Sequence, residues 1–387
     1  KKLLLILLCF PMIGFGQGWI KNFNDSGEAG GLTVRQTTDG GYIIFGDNII
    51  KTNVNGDTLW TRNYTGEDGF QTPDGGYMFC DSEYSSFVRM DFQGDTLWTK
   101  PFSGASIVNS DDGGFVFINS KCSGNPFTDE QNNAKFDKDC NQINLFKTDS
   151  LGNLLWNKTY FPEPIYGDNG AHKIVKTNDG GYMIFGRHPL GDLIKTNMNG
   201  DTLWTKGYNV GRTYSGNQTA DGGYIITGEY DTINNGIQLA DEIYIVKTDS
   251  LGNQMFLKTH RHPNGLDEIW AGSVIETNDG GYVITTSIEN PNFQYSGNIY
   301  VIKTDNIGDT LWTSTFCNPF CGASGPSATE QTSDGGYIIT GLFWDGTLDS
   351  FNEADSDGMS TILIKINHLG TLTSTKQVSL KNNTGKL

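Results

Sequence analysis

The chain of 387 residues has little charge, little proline and no long apolar run beyond its first 17 residues. With only 11 Pro and no Gly-x-y period, it is not collagen-like. No later segment holds 18 uninterrupted apolar residues, so we expect a soluble mature chain without a membrane span. The five His form no His-Glu-x-x-His array, and neither a Gly-x-Ser-x-Gly elbow nor a phosphate loop is present. The sequence therefore assigns no catalytic residue, no cofactor and no zinc site.

Glycine, aromatic and acidic residues are abundant instead. There are 50 Gly, and each Gly inside a helix costs about 1 kcal/mol relative to Ala, so long helices are disfavoured. Aromatic residues make up 12% of the chain and can form a large core, which argues against disorder. The formal net charge of −17 repels phosphate backbones, so we expect no nucleic-acid partner. This composition predicts a turn-rich, mostly β protein.

The first 17 residues have the pattern of a secretory signal peptide. Lys1 and Lys2 precede an apolar run that ends at Phe15, and Gly14 and Gly16 supply the small residues of a cleavage site. We therefore expect residues 1–17 to be removed and the mature protein to be secreted or to lie at the cell surface. The alternative is a buried N-terminal strand.

Removal of this segment leaves five cysteines. Export permits disulfides, and proximity along the chain predicts the pairs Cys122–Cys140 and Cys317–Cys321. Cys80 lies in the apolar run YMFC and is predicted to be a small buried side chain. The alternative is that all five cysteines are reduced and packed in the interior.

Internal repetition is the strongest signal in the sequence. Seven Asp-Gly-Gly-Tyr or Asp-Gly-Gly-Phe tetrapeptides begin at Asp39, Asp74, Asp112, Asp179, Asp221, Asp279 and Asp334. Each is followed by a second motif related to Ile-Lys-Thr-Asp-x-x-Gly-Asp-Thr-Leu-Trp, in which a basic residue precedes the aromatic position by nine residues. The basic residues are Lys51, Arg89, Lys147, Lys195, Lys247, Lys303 and Lys365. Two connections in each unit thus have a fixed length, whereas the other two vary.

These units predict an all-β, seven-bladed propeller. Short β-branched and aromatic runs between Gly, Asn and Asp turns are typical of antiparallel strands, and each unit supplies four of them. One small sheet cannot bury both of its faces alone, so we expect seven sheets to stack around a ring. This ring would form one domain over residues 18–373 of a monomer. An open solenoid is the alternative, but the sequence shows no polar caps.

The N-terminal strand is predicted to close this ring. Residues 18–23 (GWIKNF) match the fourth strand of a unit but precede the first unit, so they would complete the blade formed by residues 324–367. The alternative closing strand is 371–378, which has lost the aromatic residue. A side chain repeated in every blade has no unique environment, so the tryptophans of the repeat are predicted to be structural and to pack between blades: Trp19, Trp60, Trp98, Trp156, Trp204 and Trp312.

The units T-x-D-G-G-Y-I-I-x-G and I-K-T-D-x-x-G-D-T-L-W-T-K resemble the repeats of secreted propeller proteins of Bacteroidota. Many of those proteins are exported by the type IX secretion system, so the resemblance implies export by that machinery. The tail 374–387 (STKQVSLKNNTGKL) is similar to the opening of a type IX C-terminal sorting domain. The rest of such a domain does not follow, so either the chain is a fragment or the tail has another role. The resemblance supplies no catalytic residues.

Function is predicted to lie on the variable connections, which leave an antiparallel meander on one face. The longest span residues 118–143, 229–242, 287–298 and 342–360. One of them holds an acidic cluster that could bind Ca²⁺ or simply be a solvated loop: Asp345, Asp349, Glu353, Asp355 and Asp357. Six aromatic side chains could stack on sugar rings or form a small core beneath the loops: Tyr166, Tyr214, Trp270, Tyr295, Phe343 and Trp344. The candidate ligand contacts are His260, His262, Asp267, Glu268, Trp270 and Trp344.

The sequence favours a secreted or cell-surface module that binds or displays a glycan or protein ligand on this face. The alternative is an enzyme on the same ring. Its carboxylates could act on polysaccharide, as in a glycosidase or lyase, but the sequence singles out no pair. A quinone-dependent dehydrogenase is a further alternative, because the turn Asp-x-x-Gly-x-x-x-Trp is similar to the tryptophan-docking repeat of quinoprotein propellers.

Overall fold

A computed structural model of the chain describes residues 18–23, 31–81, 86–119, 127–128, 134–135, 143–160, 170–188, 191–208, 210–230, 233–234, 237–238, 242–261, 269–289, 297–316, 326–344 and 359–372. The regular structure in these ranges consists of β-strands. In the described part of the chain no helix has the length and apolar character that a membrane crossing needs. The predicted signal peptide, the 374–387 tail and both predicted disulfides lie outside these ranges.

Seven four-stranded antiparallel sheets form the blades of a propeller, as the repeats predict. The chain begins with β1 (Trp19–Phe23). Blade 1 contains β2 (Gly31–Gln36), β3 (Tyr42–Gly46), β4 (Ile49–Thr52) and β5 (Thr58–Arg62). Blade 2 contains β6 (Asp68–Gln71), β7 (Tyr77–Cys80), β8 (Phe87–Met90) and β9 (Thr96–Lys100). Blade 3 contains β10 (Ser106–Asn109), β11 (Phe115–Asn119), the short hairpin β12 (Phe127–Thr128) and β13 (Ala134–Lys135), β14 (Ile143–Thr148) and β15 (Leu154–Tyr160).

The four remaining blades follow the same order. Blade 4 contains β16 (Gly170–Lys176), β17 (Tyr182–His188), β18 (Gly191–Thr196) and β19 (Thr202–Lys206). Blade 5 contains β20 (Arg212–Gln218), β21 (Tyr224–Tyr230), the hairpin β22 (Ile233–Asn234) and β23 (Ile237–Gln238), β24 (Glu242–Thr248) and β25 (Gln254–His260). Blade 6 contains β26 (Ile269–Glu276), β27 (Tyr282–Glu289), β28 (Gly297–Thr304) and β29 (Thr310–Phe316). Blade 7 contains β30 (Pro326–Gln331), β31 (Tyr337–Trp344), β32 (Met359–Ile366) and β1.

The first strand of the chain closes the ring. Strand β1 pairs antiparallel with β32, with Trp19 opposite Lys365 and Phe23 opposite Thr361. The predicted closure by the N-terminal strand is therefore confirmed. The alternative, closure by residues 371–378, is wrong because β1 occupies the place beside β32 that this strand would take.

The hydrophobic core is divided among the seven interfaces between blades. Each of seven buried clusters joins one blade to the next, and one of them joins blade 7 to blade 1 through residues such as Val34 and Ile338. The second and third strands of a blade are buried on both faces, as in the fully buried run YIIFG of β3. Their sequences are largely apolar because another blade covers each face.

The repeated tryptophans pack across these interfaces. The indole of Trp60 in blade 1 lies against Gly94, in the turn between the third and fourth strands of blade 2. Its centroid is 5.6 Å from that of Tyr77 in an edge-to-face arrangement. Trp19 contacts Gly56 of blade 1 in the same way, so the contact passes across the closure of the ring. Gly is required in these turns because its φ is positive, as at Gly94 (81°), and because a Cβ would meet the indole.

An ion pair joins the two repeated motifs within every blade, between a buried basic side chain and an Asp side chain that is exposed to solvent. In blade 4, Lys195 Nζ lies 2.9 Å from a carboxylate oxygen of Asp179 and also donates to the carbonyl of Thr196 at 2.8 Å. The equivalent pairs are Lys51–Asp39, Arg89–Asp74, Lys147–Asp112, Lys247–Asp221, Lys303–Asp279 and Lys365–Asp334. We call these pairs the clasps. They explain why a basic residue occurs in a strand that is otherwise buried and apolar.

Only the first glycine of each Asp-Gly-Gly turn has a positive φ. The second is required by space. A Cβ on Gly181 would lie 2.1 Å from the carbonyl oxygen of Thr196 and 2.8 Å from Lys195 Nζ. The backbone of the turn therefore lies in direct contact with the clasp of its own blade.

The variable connections are shorter than the sequence predicts. Strand β27 runs to Glu289 and β28 begins at Gly297, inside the predicted loop 287–298. Strand β31 runs to Trp344 and pairs there with Met359 of β32, inside the predicted loop 342–360. Cross-strand pairing extends these strands past the repeated motif, a tertiary effect that local sequence does not indicate.

Candidate functional site

The innermost strands of the seven blades surround a central channel of about 440 Å³. These are the first strands of each blade, which contact one another around the ring axis. Counted back from the Asp of each Asp-Gly-Gly turn, the residues six and seven places earlier line the channel in every blade. The first ring is Thr33, Asp68, Ser106, Lys173, Ser215, Ser273 and Ala328, and the second is Leu32, Glu67, Ala105, His172, Tyr214, Gly272 and Ser327.

A β-bulge places both of these consecutive residues on the channel wall. In five blades the pairing of the first and second strands shifts by one residue at this point, as between Ala171 and Lys173 in blade 4. Neighbouring residues of a regular strand point to opposite faces, whereas a bulge redirects one of them. His172 and Lys173 can therefore both line the channel, although they are adjacent in the chain.

Asp68 is the centre of a hydrogen-bond network at one side of the channel. Its Oδ1 accepts from Arg35 Nη2 at 3.2 Å and from the amide of Gly69 at 2.9 Å. Its Oδ2 accepts from Ser106 Oγ at 2.7 Å and from the amide of Ile107 at 3.1 Å. A carboxylate offers about four lone-pair sites, so these four bonds fill its capacity. Asp68 thus ties blades 1, 2 and 3 together at the channel.

Glu330 lies nearer to the Asp-Gly-Gly turns, and Arg35 interacts electrostatically with it. Its Oε2 accepts from the amide of Gln36 at 2.6 Å, a bond that joins blade 7 to blade 1. Burial raises the pKa of Glu330, and the positive charge of Arg35 opposes this rise. Arg35 therefore compensates two carboxylates, one on each neighbouring blade.

The opposite side of the channel carries Lys173, His172, Tyr214 and Ser215. The Lys173 ammonium lies 3.5 Å from Ser215 Oγ, and burial together with Arg35 lowers its pKa to about 8, although Asp68 opposes the shift. His172 is open to the channel, but the surrounding walls desolvate it and lower its pKa, which favours the neutral imidazole. Its ring centroid is 5.6 Å from that of Tyr214. This side of the channel can offer an ammonium group, two rings and a hydroxyl to a ligand.

The structure does not bring the predicted ligand contacts together at this channel. His260 ends β25, the outermost strand of blade 5, and its Nδ1 lies 3.2 Å from Thr310 Oγ1 of blade 6. Burial lowers the pKa of His260, although Asp309 opposes the shift. Trp270 lies in β26 and Trp344 ends β31. The other candidates fall outside the described residues: His262, Asp267, Glu268, Asp345, Asp349, Glu353, Asp355 and Asp357.

Tyr214 is the one aromatic residue singled out from the sequence that the structure places in the channel, on an inner strand and not on a loop. Within the described ranges, no group of three or more His, Cys, Asp or Glu side chains is arranged to hold a metal ion. Cys80 is fully buried and unpaired, as predicted, and burial raises the pKa of its thiol.

Sequence reasoning missed Arg35, Asp68, His172, Lys173 and Glu330. The signal that could have found them is the set of positions within the repeat at which the residue type is not repeated. Three residues before the turn Asp, a polar side chain recurs and pins the neighbouring blade; Gln71 Oε1 accepts from the amide of Thr38 at 2.8 Å. Four, six and seven residues before it, no residue type is common to all seven units, and the most frequent is Ser, in three units at the sixth place. Diverse residues at equivalent positions of one ring create a unique environment.

No family model and no curated protein matches this chain, but several solved structures do. YCF48 bound to D1 peptide has a TM-score of 0.54 and 12% identity, over 93% of this chain and 99% of that one. An inactive virginiamycin B lyase from Staphylococcus aureus, solved with quinupristin, has a TM-score of 0.51 and 10% identity, over 89% and 99%. A Bacteroides caccae protein of unknown function has a TM-score of 0.44 and 12% identity, over 70% and 90%. Identities this low show a shared propeller fold and nothing finer.

Proposed function

We propose that this protein is a secreted or cell-surface binding module that holds a glycan or protein ligand on its variable face, where the central channel opens. The proposal includes export through the N-terminal signal and the type IX machinery. The observation that carries it is a division of roles among the side chains. The repeated Asp, Lys and Trp residues are engaged in clasps and interfaces, whereas non-repeated polar side chains gather on the channel wall. A rigid ring that displays one asymmetric polar surface is suited to binding.

The hydrogen bonding of the channel favours binding over catalysis. A general acid or base needs a lone pair or proton that is free to reach the substrate. Both oxygens of Asp68 are occupied by four donors, and Glu330 Oε2 accepts a backbone amide. These carboxylates therefore serve as anchors of the wall.

A glycan array and a pull-down with surface proteins, both probed with the full chain, test this function. We expect a ligand whose binding is weakened by substitutions at the channel mouth, such as Tyr214→Ala. Substitution of Leu203, which is exposed on the outer strand β19, should leave binding unchanged and serves as the matched control. Absence of any glycan or protein ligand in both screens would contradict the proposal.

An enzyme acting on polysaccharide is the second candidate. The observation in its favour is the pair His172 and Lys173. Burial favours the neutral imidazole of His172, and a pKa of about 8 gives Lys173 a larger fraction of free amine near neutral pH than an ordinary lysine has. Turnover of a polysaccharide panel that disappears in His172→Ala, while Asp39→Asn retains it, would support this candidate over the binding module.

A further inference from the structure

Lys173 is the channel cation that lacks a carboxylate partner among the residues that the structure describes. Arg35 pairs with Asp68, and Lys176 pairs with Asp111 of blade 3. Among the described residues, no carboxylate oxygen lies within 4.0 Å of Lys173 Nζ, and its hydrogen bond to Ser215 is at the 3.5 Å limit. An ammonium has three N–H donors, so this half-buried group has donors to spare. Such a group is costly for the fold and available to an incoming anion.

Flat rings and hydroxyl groups surround this ammonium. His172 and Tyr214 lie on the bulges of blades 4 and 5, with ring centroids 5.6 Å apart. The Tyr214 hydroxyl donates to Glu229 Oε2 at 3.1 Å, which fixes the orientation of the phenol. Ser215 and Ser273 belong to the same ring of residues as Lys173. An aromatic body beside hydroxyl donors and acceptors suits the apolar face and the hydroxyls of a sugar ring.

The charges of the channel limit the anion to a single negative charge. Glu67, Asp68 and Glu330 share the wall with Arg35, Lys173 and Lys176, and the charge of Lys176 is already balanced by Asp111. A monoanion beside Lys173 replaces the missing partner, whereas a dianion such as phosphate adds a repelling charge. The net charge of −17 likewise disfavours a polyanion.

We propose that the central channel binds a carboxylate-bearing sugar residue of the uronic acid type. The carboxylate accepts hydrogen bonds from Lys173 Nζ, and the sugar ring lies against Tyr214 and His172. This inference rests on the proposed glycan-binding function and narrows it to one class of ligand and one position.

Calorimetric titration of the full chain with a galactose oligomer that carries one galacturonate residue, and with the neutral galactose oligomer, tests the proposal. We expect the uronate to bind more tightly, and Lys173→Met to reduce its affinity by about tenfold or more, the usual effect of losing a hydrogen bond to a charged group. The neutral oligomer should bind the wild-type chain and Lys173→Met alike. Lys176→Met removes a channel lysine that already has an acidic partner, and it is the matched control that should leave uronate binding unchanged.

A pH series provides a second readout. The charged and titratable groups that share the channel wall with Lys173 are Arg35, Glu67, Asp68, His172, Lys176, Tyr214 and Glu330. Burial raises the pKa of Tyr214 and lowers that of His172, so Lys173 is the group expected to change charge between pH 7 and about 9. Uronate affinity should fall over this range in the wild-type chain. It should persist in Lys173→Arg, because a guanidinium stays protonated.

The outcomes separate this inference from the proposed function. Equal uronate affinity in the wild-type chain and Lys173→Met overturns the inference but leaves glycan binding intact. Binding of a neutral glycan or a protein without any uronate binding does the same. Failure to bind every glycan and protein contradicts the proposed function as well. Tight binding of acidic peptides through Lys173, with none for uronates, identifies a peptide carboxylate as the ligand and overturns the sugar assignment.

Discussion

Two lysines of blade 4 show how differently the ring uses one residue type. Lys195, on the third strand, has a side chain that is 4% exposed, with Asp179 at 2.9 Å and a backbone carbonyl at 2.8 Å. Lys173, on the first strand, has one distant hydroxyl and no acidic partner among the described residues. Lys195 has an equivalent in every blade, whereas Lys173 has none. The repeated residues form a framework with satisfied partners, and the unrepeated ones leave a polar channel wall open to a ligand.

This contrast follows from the symmetry of the ring. A residue that recurs in all seven blades has the same neighbours in each blade, so it makes the same stabilising contact seven times. A position that faces the axis meets six different residues, and there a single substitution changes one shared site. We therefore expect framework substitutions to destabilise the fold and channel substitutions to change binding. The four predictions below test this expectation, beginning with the largest effect.

The largest loss of stability should come from replacing the Asp of a clasp. Asp179→Ala leaves the buried ammonium of Lys195 without a counter-charge, and an unpaired buried charge costs about 3 kcal/mol or more. Denaturant unfolding of the variant measures this cost. The double variant Asp179→Ala, Lys195→Met should recover part of it, because the charge that needs a partner is gone. An Asp179→Ala variant as stable as the wild-type chain would show that the clasp does not hold the blade.

The contact between blades is expected to matter somewhat less. Trp204 lies against Gly252 of blade 5, 6.0 Å from the ring of Tyr224, but it is only half-buried. Trp204→Ala should therefore cost about 2–3 kcal/mol, below the range for a fully buried aromatic residue. The adjacent Leu203 is 55% exposed, so Leu203→Ala is the matched control, with an expected change within about 0.5 kcal/mol. Equal unfolding midpoints for the two variants would contradict this role of the tryptophan.

The framework could be predicted from the sequence because its two motifs occur seven times in the chain. The fixed spacing from Lys195 to Trp204, and its equivalents in the other blades, predicts the hairpins, and the extra copy of the fourth strand at Trp19 predicts the closure. The pairing of Lys195 with Asp179 was not predicted as such. The two residues are 16 positions apart, and only the fold of the second and third strands brings them together.

The channel could not be predicted in the same way, for two physical reasons. Its residues share no motif, so the repeat does not mark them. Strand periodicity also predicts that His172 and Lys173 point to opposite faces, whereas the bulge in β16 turns both toward the axis. A register shift of this kind depends on pairing with β17, which local sequence does not specify. The loop residues were predicted as ligand contacts because their connections are the longest in the chain. In the structure, the unrepeated polar side chains of the channel lie on the innermost strands instead.

Acid should weaken the framework through its clasps. Partial burial raises the pKa of Asp112, Asp221 and Asp279, but hydrogen bonds from the clasp lysine and a neighbouring hydroxyl outweigh it and hold each pKa at about 2, below the ordinary 3.8. A carboxyl with a lowered pKa stabilises the fold above pH 4, and this contribution disappears as the pH falls toward 2. Each effect is modest because the carboxylates are more than half exposed.

Urea unfolding at a series of pH values between 2 and 5 measures this loss. Asp221→Asn removes one titrating group, so the stability of that variant should fall less steeply with acid than that of the wild-type chain. Asp91, in a turn of blade 2 outside any clasp, is the position for a matched Asp→Asn control. Identical slopes for the wild-type chain and Asp221→Asn would mean that the clasps do not govern acid stability.

The smallest expected effect on stability has the opposite sign. Lys173 has a pKa lowered from 10.5 to about 8, so the fold disfavours its charged form, and stability should rise as the pH increases from 8 to 10.5. Lys173→Met removes the unfavourable charge and should stabilise the chain at pH 7 by about 1 kcal/mol, once the water in the channel is allowed for. The same variant should lose the rise with alkaline pH. If Lys173→Met is less stable than the wild-type chain, Lys173 stabilises the fold as the clasp lysines do. If it is more stable, the charge of Lys173 destabilises the fold, as expected of a residue kept for binding.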